Sequence, residues 1–182
     1  MTERAHDEYA ALRATIRERG TTRIWVFLIG TMGWAAIEVA TIALGFPPME
    51  TILPLLVLAA TSEAIYALHV GVERIGRYLQ LFHEADAGWE RIAMSFGRPA
   101  GAARLNPLFT VPLAIAGIID VLPATFVNPT REELLFVGGA HALYLLRLVQ
   151  ARAVAGRQRA IDLARFEQLK TASSPLSRST AS

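Results

Sequence analysis

TILPLLVLAATSEAIYALHVGV, residues 51–72, runs for twenty-two residues with one formally charged side chain, Glu63. As a helix rising ~1.5 Å per residue it would cover roughly 33 Å, about the thickness of a bilayer's hydrocarbon core. Three further stretches share this character, at 24–46, 107–127 and 133–151. The pattern predicts an all-α polytopic membrane protein with four transmembrane helices in an antiparallel bundle.

The charges between these segments set an orientation. Seventeen of the eighteen Lys and Arg residues fall in Arg4–Arg23, Arg74–Arg104 and Arg147–Arg178, and only Arg131 lies in the other two connections. Lys and Arg concentrate on the cytoplasmic side, so the expected localisation is the inner (plasma) membrane, multi-pass, with N- and C-termini cytoplasmic. Composition agrees: 53% of the 182 residues are hydrophobic and the mean hydropathy is +0.35. The small net charge of +2 does not describe a nucleic-acid surface, so no nucleic-acid partner is expected. Absence of cysteine excludes disulfides, thiolate catalysis and Cys-ligated metals. The first 22 residues mix both signs, unlike a signal peptide, and the first apolar run reads as a retained anchor.

Outward from the second span, the elements follow local signals. Residues 1–22 predict a cytoplasmic amphipathic helix, with Tyr9, Leu12 and Ile16 on one stripe, ended by Gly20 and followed by a Thr21-Thr22 cap. Residues 23–170 form the four-helix membrane domain, and 171–182 a Ser/Thr-rich disordered tail. Gly45-Phe46-Pro47-Pro48 closes the first span, and Thr51 is the expected N-cap of the second. Span two is expected to continue through 73–96, because Ala60, Ala64, Ala67 and Gly71 lead into Ile75, Tyr78, Phe82, Ala85, Trp89, Ile92 and Phe96 at helical spacing. Positions 51–95 would then reach roughly 65 Å. Small residues on such a stripe let helices approach closely, and the large ones form a seam needing a partner. That partner is the tail of span four with the N-terminal helix, or a second copy of the chain. Asn106-Pro107 reads as an N-cap and first-turn proline. The third span carries Pro112, Gly117, Asp120 and Pro123, and a broken segment competes with a full crossing. Thr130–Glu133 is a capping box opening the fourth span, which extends over 152–170.

Each span also holds one acid or histidine near its midpoint: Glu38, Glu63, Asp120 and His141. Exposed to lipid, each would cost a few kcal/mol, so the four are expected to face inward and converge as an intramembrane polar or ion site. A hydrogen-bonded network, a proton or cation relay, and a transition-metal site are the competing readings, the last weakened because none of the four apolar segments holds a Glu-x-x-His pair. Bis-His haem is disfavoured, since His69 and His141 would differ in depth by about 13 Å. No cofactor is therefore predicted. A second polar region, His69, Glu73 and Arg77, marks the cytoplasmic mouth of span two, either as an interfacial face with snorkelling arginines or as a gate. Phosphate loops, Gly-x-Ser-x-Gly and His-Glu-x-x-His are missing, and with them any enzyme signature. Two function classes remain. One is a scaffold or accessory subunit bound to lipid and to itself or a partner subunit. The other is a proton- or cation-conducting channel or carrier. The scaffold stands first, because four spans leave little room for a gated pathway.

Overall fold

The computed structural model describes residues 3–84, Ile92 and 107–173, and every regular element among them is helical. Helix α1 is Glu3–Leu44, a 3₁₀ turn covers Pro48–Thr51, and α2 is Ile52–Phe82. After the next connection come α3 (Pro107–Ile119), α4 (Leu122–Phe126) and α5 (Arg131–Ser173). Four segments among the described residues are long and apolar enough to cross a membrane: Glu3–Leu44, Pro48–Phe82, Phe109–Phe126 and Arg131–Ala172.

Several boundaries differ from those expected. The N-terminal helix and the first span are one 42-residue helix, not two. Gly20 interrupts nothing, since a glycine inside a helix costs only about 1 kcal/mol. Thr21 donates back to the Arg17 carbonyl at 3.2 Å instead of capping a new helix. Thr51 likewise donates to the Pro48 carbonyl at 2.8 Å and closes the 3₁₀ turn. Helix α2 ends at Phe82, where the N–H groups of His83 and Glu84 both return to the Leu79 carbonyl. Its 31 residues reach about 46 Å rather than 65 Å. The seam positions Ala85, Trp89 and Phe96 and the cap Asn106 lie outside the described residues, as does the tail beyond Ser173. Residues 171–173, assigned to that tail, belong to α5.

Other local signals act as read. Gly45 adopts φ +65°, the Phe46 N–H bonds Thr41 O and the Gly45 N–H bonds Ile42 O, each at 3.2 Å. This is a Schellman stop, in which a left-handed glycine satisfies the last carbonyls of a helix. At α5 the capping box is reciprocal: Thr130 N–H donates to Glu133 Oε2 at 2.8 Å and Glu133 N–H to Thr130 Oγ1 at 3.2 Å.

By contacts the chain divides into two units. The apolar unit comprises Thr22–Ala67 and Leu105–Ala153. Its core gathers Leu55, Leu58, Ile65, Phe109, Leu113 and Tyr144, among others. Gly30 of α1 lies where a Cβ would overlap the Thr61 side chain of α2, and Gly33 faces Val57, so α1 and α2 run antiparallel. Phe27 stacks edge-on with Phe109 while Trp34 meets Asp120, so α1 and α3 run parallel. Tyr144 donates to Leu113 O and His141 meets Asp120, which makes α3 and α5 antiparallel. The directions are those of an up-and-down bundle. The second unit, Met1–Thr21, Leu68–Arg104 and Val154–Ser182, is polar. Among its described residues, Tyr78, Phe82 and Phe166 form an aromatic cluster, and Tyr78 donates to Glu8. The described part of the α2 seam thus packs on the tail of α5 and the start of α1.

Polarity in the apolar unit is inverted relative to a water-soluble domain. Met32, Phe126 and Leu135 are 71%, 80% and 77% exposed, whereas Glu38, Asp120 and His141 are buried. Soluble monomers rarely expose apolar surface on this scale.

Candidate functional site

Asp120 stands where the third span breaks. Pro123 has no N–H for the Ile119 carbonyl, and its ring crowds that position, so α3 ends at Ile119 and α4 restarts at Leu122. The Asp120 N–H still reaches Ala116 O at 2.9 Å. Its side chain is wholly buried and joins three helices. Trp34 Nε1–H of α1 donates to Oδ1 at 2.7 Å, and His141 Nε2 of α5 lies 2.8 Å from Oδ2.

The geometry fixes how many protons this group carries. His141 Nδ1 lies 2.8 Å from the Val137 carbonyl, which only accepts, so Nδ1 bears a hydrogen. One further proton sits between Nε2 and Oδ2. Placed on either atom, it leaves the pair neutral as a whole, as imidazolium–carboxylate or imidazole–carboxylic acid. Both ring nitrogens are thereby committed.

Glu38 lies one helical turn beyond Trp34 and is 5% exposed. Neither of its buried carboxyl oxygens has a hydrogen-bond partner. It is close enough to Asp120 and His141 for their charges to act on it. The group beside it is another carboxyl, and two carboxyl oxygens become partners only with a proton between them. Glu38 borders a half-open cavity of about 440 Å³ lined by the turn Gly45–Pro48, by Thr41 and Thr51, and by α4 from Leu122 to Phe126.

Glu63 does not join this cluster. Its carboxylate, 47% exposed, forms a two-pronged pair with Arg147 Nε and a terminal nitrogen at 2.7 and 2.8 Å. Arg147 also lies over the Tyr66 ring, 5.7 Å from its centre. Ala60, Ala64 and Ala67, expected to pack helices within the bundle, are exposed beside it. Helical spacing puts Glu63 on the small-residue face correctly, but that face points out of the unit, not into it.

In the polar unit, Glu73 is the acceptor of a hub. Arg77 donates to its Oε2 at 3.0 Å and to its backbone carbonyl at 3.1 Å. Arg159 of α5 donates Nε–H to Oε2 at 2.9 Å and a terminal N–H to Oε1. His69 Nε2 stands 3.6 Å from Oε1, partly exposed. Glu73 therefore brings His69 and Arg77 together, with Arg159 added. Arg77 is buried rather than snorkelling, because two acceptors on Glu73 replace its water. Arg74 and Gln158 similarly converge on the buried Asp162. Donation of the Tyr78 hydroxyl to Glu8 pushes that phenol above its ordinary 10.0, with burial and the Glu8 charge adding to the effect.

Trp34 and Arg147 are the residues that sequence reasoning passed over. An indole N–H deep in an apolar segment needs an acceptor, and Trp34 is four residues from Glu38; together these were the available signal. Arg147 was counted with the cytoplasmic cluster although it lies within the fourth apolar segment. No group of three or more His, Asp or Glu among the described residues is gathered to hold a metal ion. Compared with protein-family models, with curated proteins and with solved structures, the chain matches none.

Proposed function

We propose that the chain is a four-pass integral protein of the inner membrane, with both termini cytoplasmic, acting as a scaffold or accessory subunit. In this reading it docks another membrane helix on its α2–α5 flank. The observation that carries the docking is the exposed Glu63–Arg147 pair beside Ala60, Ala64 and Ala67. Facing acyl chains, an ion pair is expensive, whereas a covering helix with polar groups supplies partners and the alanines allow close approach. The Trp34–Asp120–His141 group serves this scaffold as an internal tie, holding three helices in register.

Native cysteine is absent, so single-cysteine chemistry tests the flank without background. Ala64→Cys should cross-link in native membranes to a second copy or to a partner of different mass. Leu135→Cys, exposed in the same unit, should not. Equal cross-linking at the two positions would overturn the docking flank.

One observation favours the second reading, a proton or cation carrier. Glu38 lies against Asp120 with no donor on either oxygen, so the two carboxyls can bond each other only by sharing a proton, the arrangement a relay needs. Under that reading, Glu38→Gln abolishes ion flux in vesicles holding the purified protein; unchanged flux would refute it. A transition-metal centre has less support, because His141 has no free ring nitrogen.

A further inference from the structure

The cavity beside Glu38 has a chemical bias that its shape alone would not reveal. Its polar side chains are Glu38, Thr41 and Thr51. Thr41 spends its hydroxyl hydrogen on Ile37 O at 2.9 Å, and Thr51 on Pro48 O at 2.8 Å. Both therefore offer only lone pairs to the cavity, as does an ionised Glu38. Of the backbone N–H groups around it, those of Gly45 and Phe46 are taken by the helix stop, Pro47, Pro48 and Pro123 have none, and those of Leu122 and Ala124 belong to the first turn of α4, so the acceptor bias is that of the side chains. The remaining walls are hydrocarbon, including Ile42, Phe46, Leu122 and Phe126. Acceptors gathered at one place in an apolar chamber select a donor attached to an apolar body.

Charge points the same way. Asp120 and His141 hold one proton between them and are neutral as a pair, so they leave an ionised Glu38 without a counter-charge. A buried carboxylate in that position needs a proton or a cation. A bare metal ion would require several more oxygen ligands than this chamber presents. The volume falls within the roughly 300–1,000 Å³ typical of small-molecule sites.

We propose that this cavity binds a lipophilic organic cation, an ammonium group on a hydrocarbon body, with the head on Glu38 and the body against α4 and the Gly45–Pro48 turn. This deepens the carrier reading by naming a ligand class, and it does not depend on the docking flank. Binding is an equilibrium property, so it stands even where no flux is found.

The test uses the full chain purified in detergent and a diazirine-tagged decylamine, which is cationic at neutral pH. Labelling should saturate and map by mass spectrometry to peptides containing residues 38–51 and 119–127. Decylamine should compete, while decanoate and decanol should not. Glu38→Gln should weaken binding about 10- to 100-fold, the loss of a charge-assisted contact, with an unchanged melting temperature. Should that variant fail to fold, the competition series on the wild-type chain decides by itself. Equal competition by decanol, unchanged binding in a folded Glu38→Gln protein, or labelling that never saturates would each overturn the proposal. The membrane reading fails separately, if the chain fractionates as a soluble protein without detergent.

Discussion

Asp120 accepts from Trp34 through one oxygen and meets His141 through the other, so truncating it strands two buried polar groups at once. Asp120→Ala should lower stability by about 2–4 kcal/mol, since each unsatisfied group costs roughly 1–3 kcal/mol and some will relax. Asp120→Asn is a sharper probe. Its amide oxygen can accept from the indole while its NH₂ donates to a neutral His141 Nε2, so the loss should stay below about 1 kcal/mol. Thermal unfolding in detergent measures both; equal losses would mean that the contact needs the charge rather than the geometry. Nitrogen NMR of labelled histidine should find the His141 Nδ1 protonated throughout, because Val137 O can only accept. Tyr78 gives a prediction on pH. Its phenol titrates above 10.0 in the folded chain, so the Glu8 contact contributes fully below pH 10 and is lost as pH rises through the higher folded value. Phenolate absorbance should show Tyr78 titrating late, and Glu8→Gln should bring it back towards 10.

Among elements, α1 and α2 meet through a glycine with no room for anything larger. Gly30→Leu drives a side chain into Thr61, whose Cβ cannot swing away as a flexible tip could, and should cost about 1–3 kcal/mol. Gly45→Ala tests the helix stop instead, at about 1 kcal/mol for a Cβ in left-handed backbone, with nothing nearby to clash. Melting temperatures compare the two, and a milder effect at Gly30 than at Gly45 would count against the close approach. These elements also show what could be read beforehand. Thr130 and Glu133 were legible because a capping box is complete within four residues. Gly20 was misread as a stop because its weak preference is overridden by the 42-residue helix around it. The break at Asp120 could be framed but not decided, since Pro123 either kinks or ends a helix according to its neighbours. Glu63 shows the general limit: periodicity says which residues share a face, not which neighbour that face meets. Glu38, Asp120 and His141 face into the unit, whereas Glu63 faces out of it.

For the whole molecule, the decisive pattern is the pairing of exposed hydrocarbon in one unit with cross-helix ion pairs in the other. Met32, Phe126 and Leu135 stand open where a soluble fold would bury them, while Arg74, Arg77 and Arg159 are satisfied by Asp162 and Glu73. The proposed orientation puts that basic unit in the cytoplasm and leaves Arg131 alone among Lys and Arg in the outer connections. Cysteine accessibility can test this directly, because the native chain contributes no thiol. Asn128→Cys lies in the connection after α4, at an exposed site with φ 51°, and Gly156→Cys lies on an exposed part of α5 in the polar unit. In intact cells a membrane-impermeant maleimide should label Asn128→Cys and not Gly156→Cys; after permeabilisation it should label both. The reverse order would invert the topology and move the Arg-rich unit outside. Labelling of both sites before permeabilisation would remove the bilayer from between them, and with it the physical reason for burying Asp120, His141 and Glu38 among hydrocarbon.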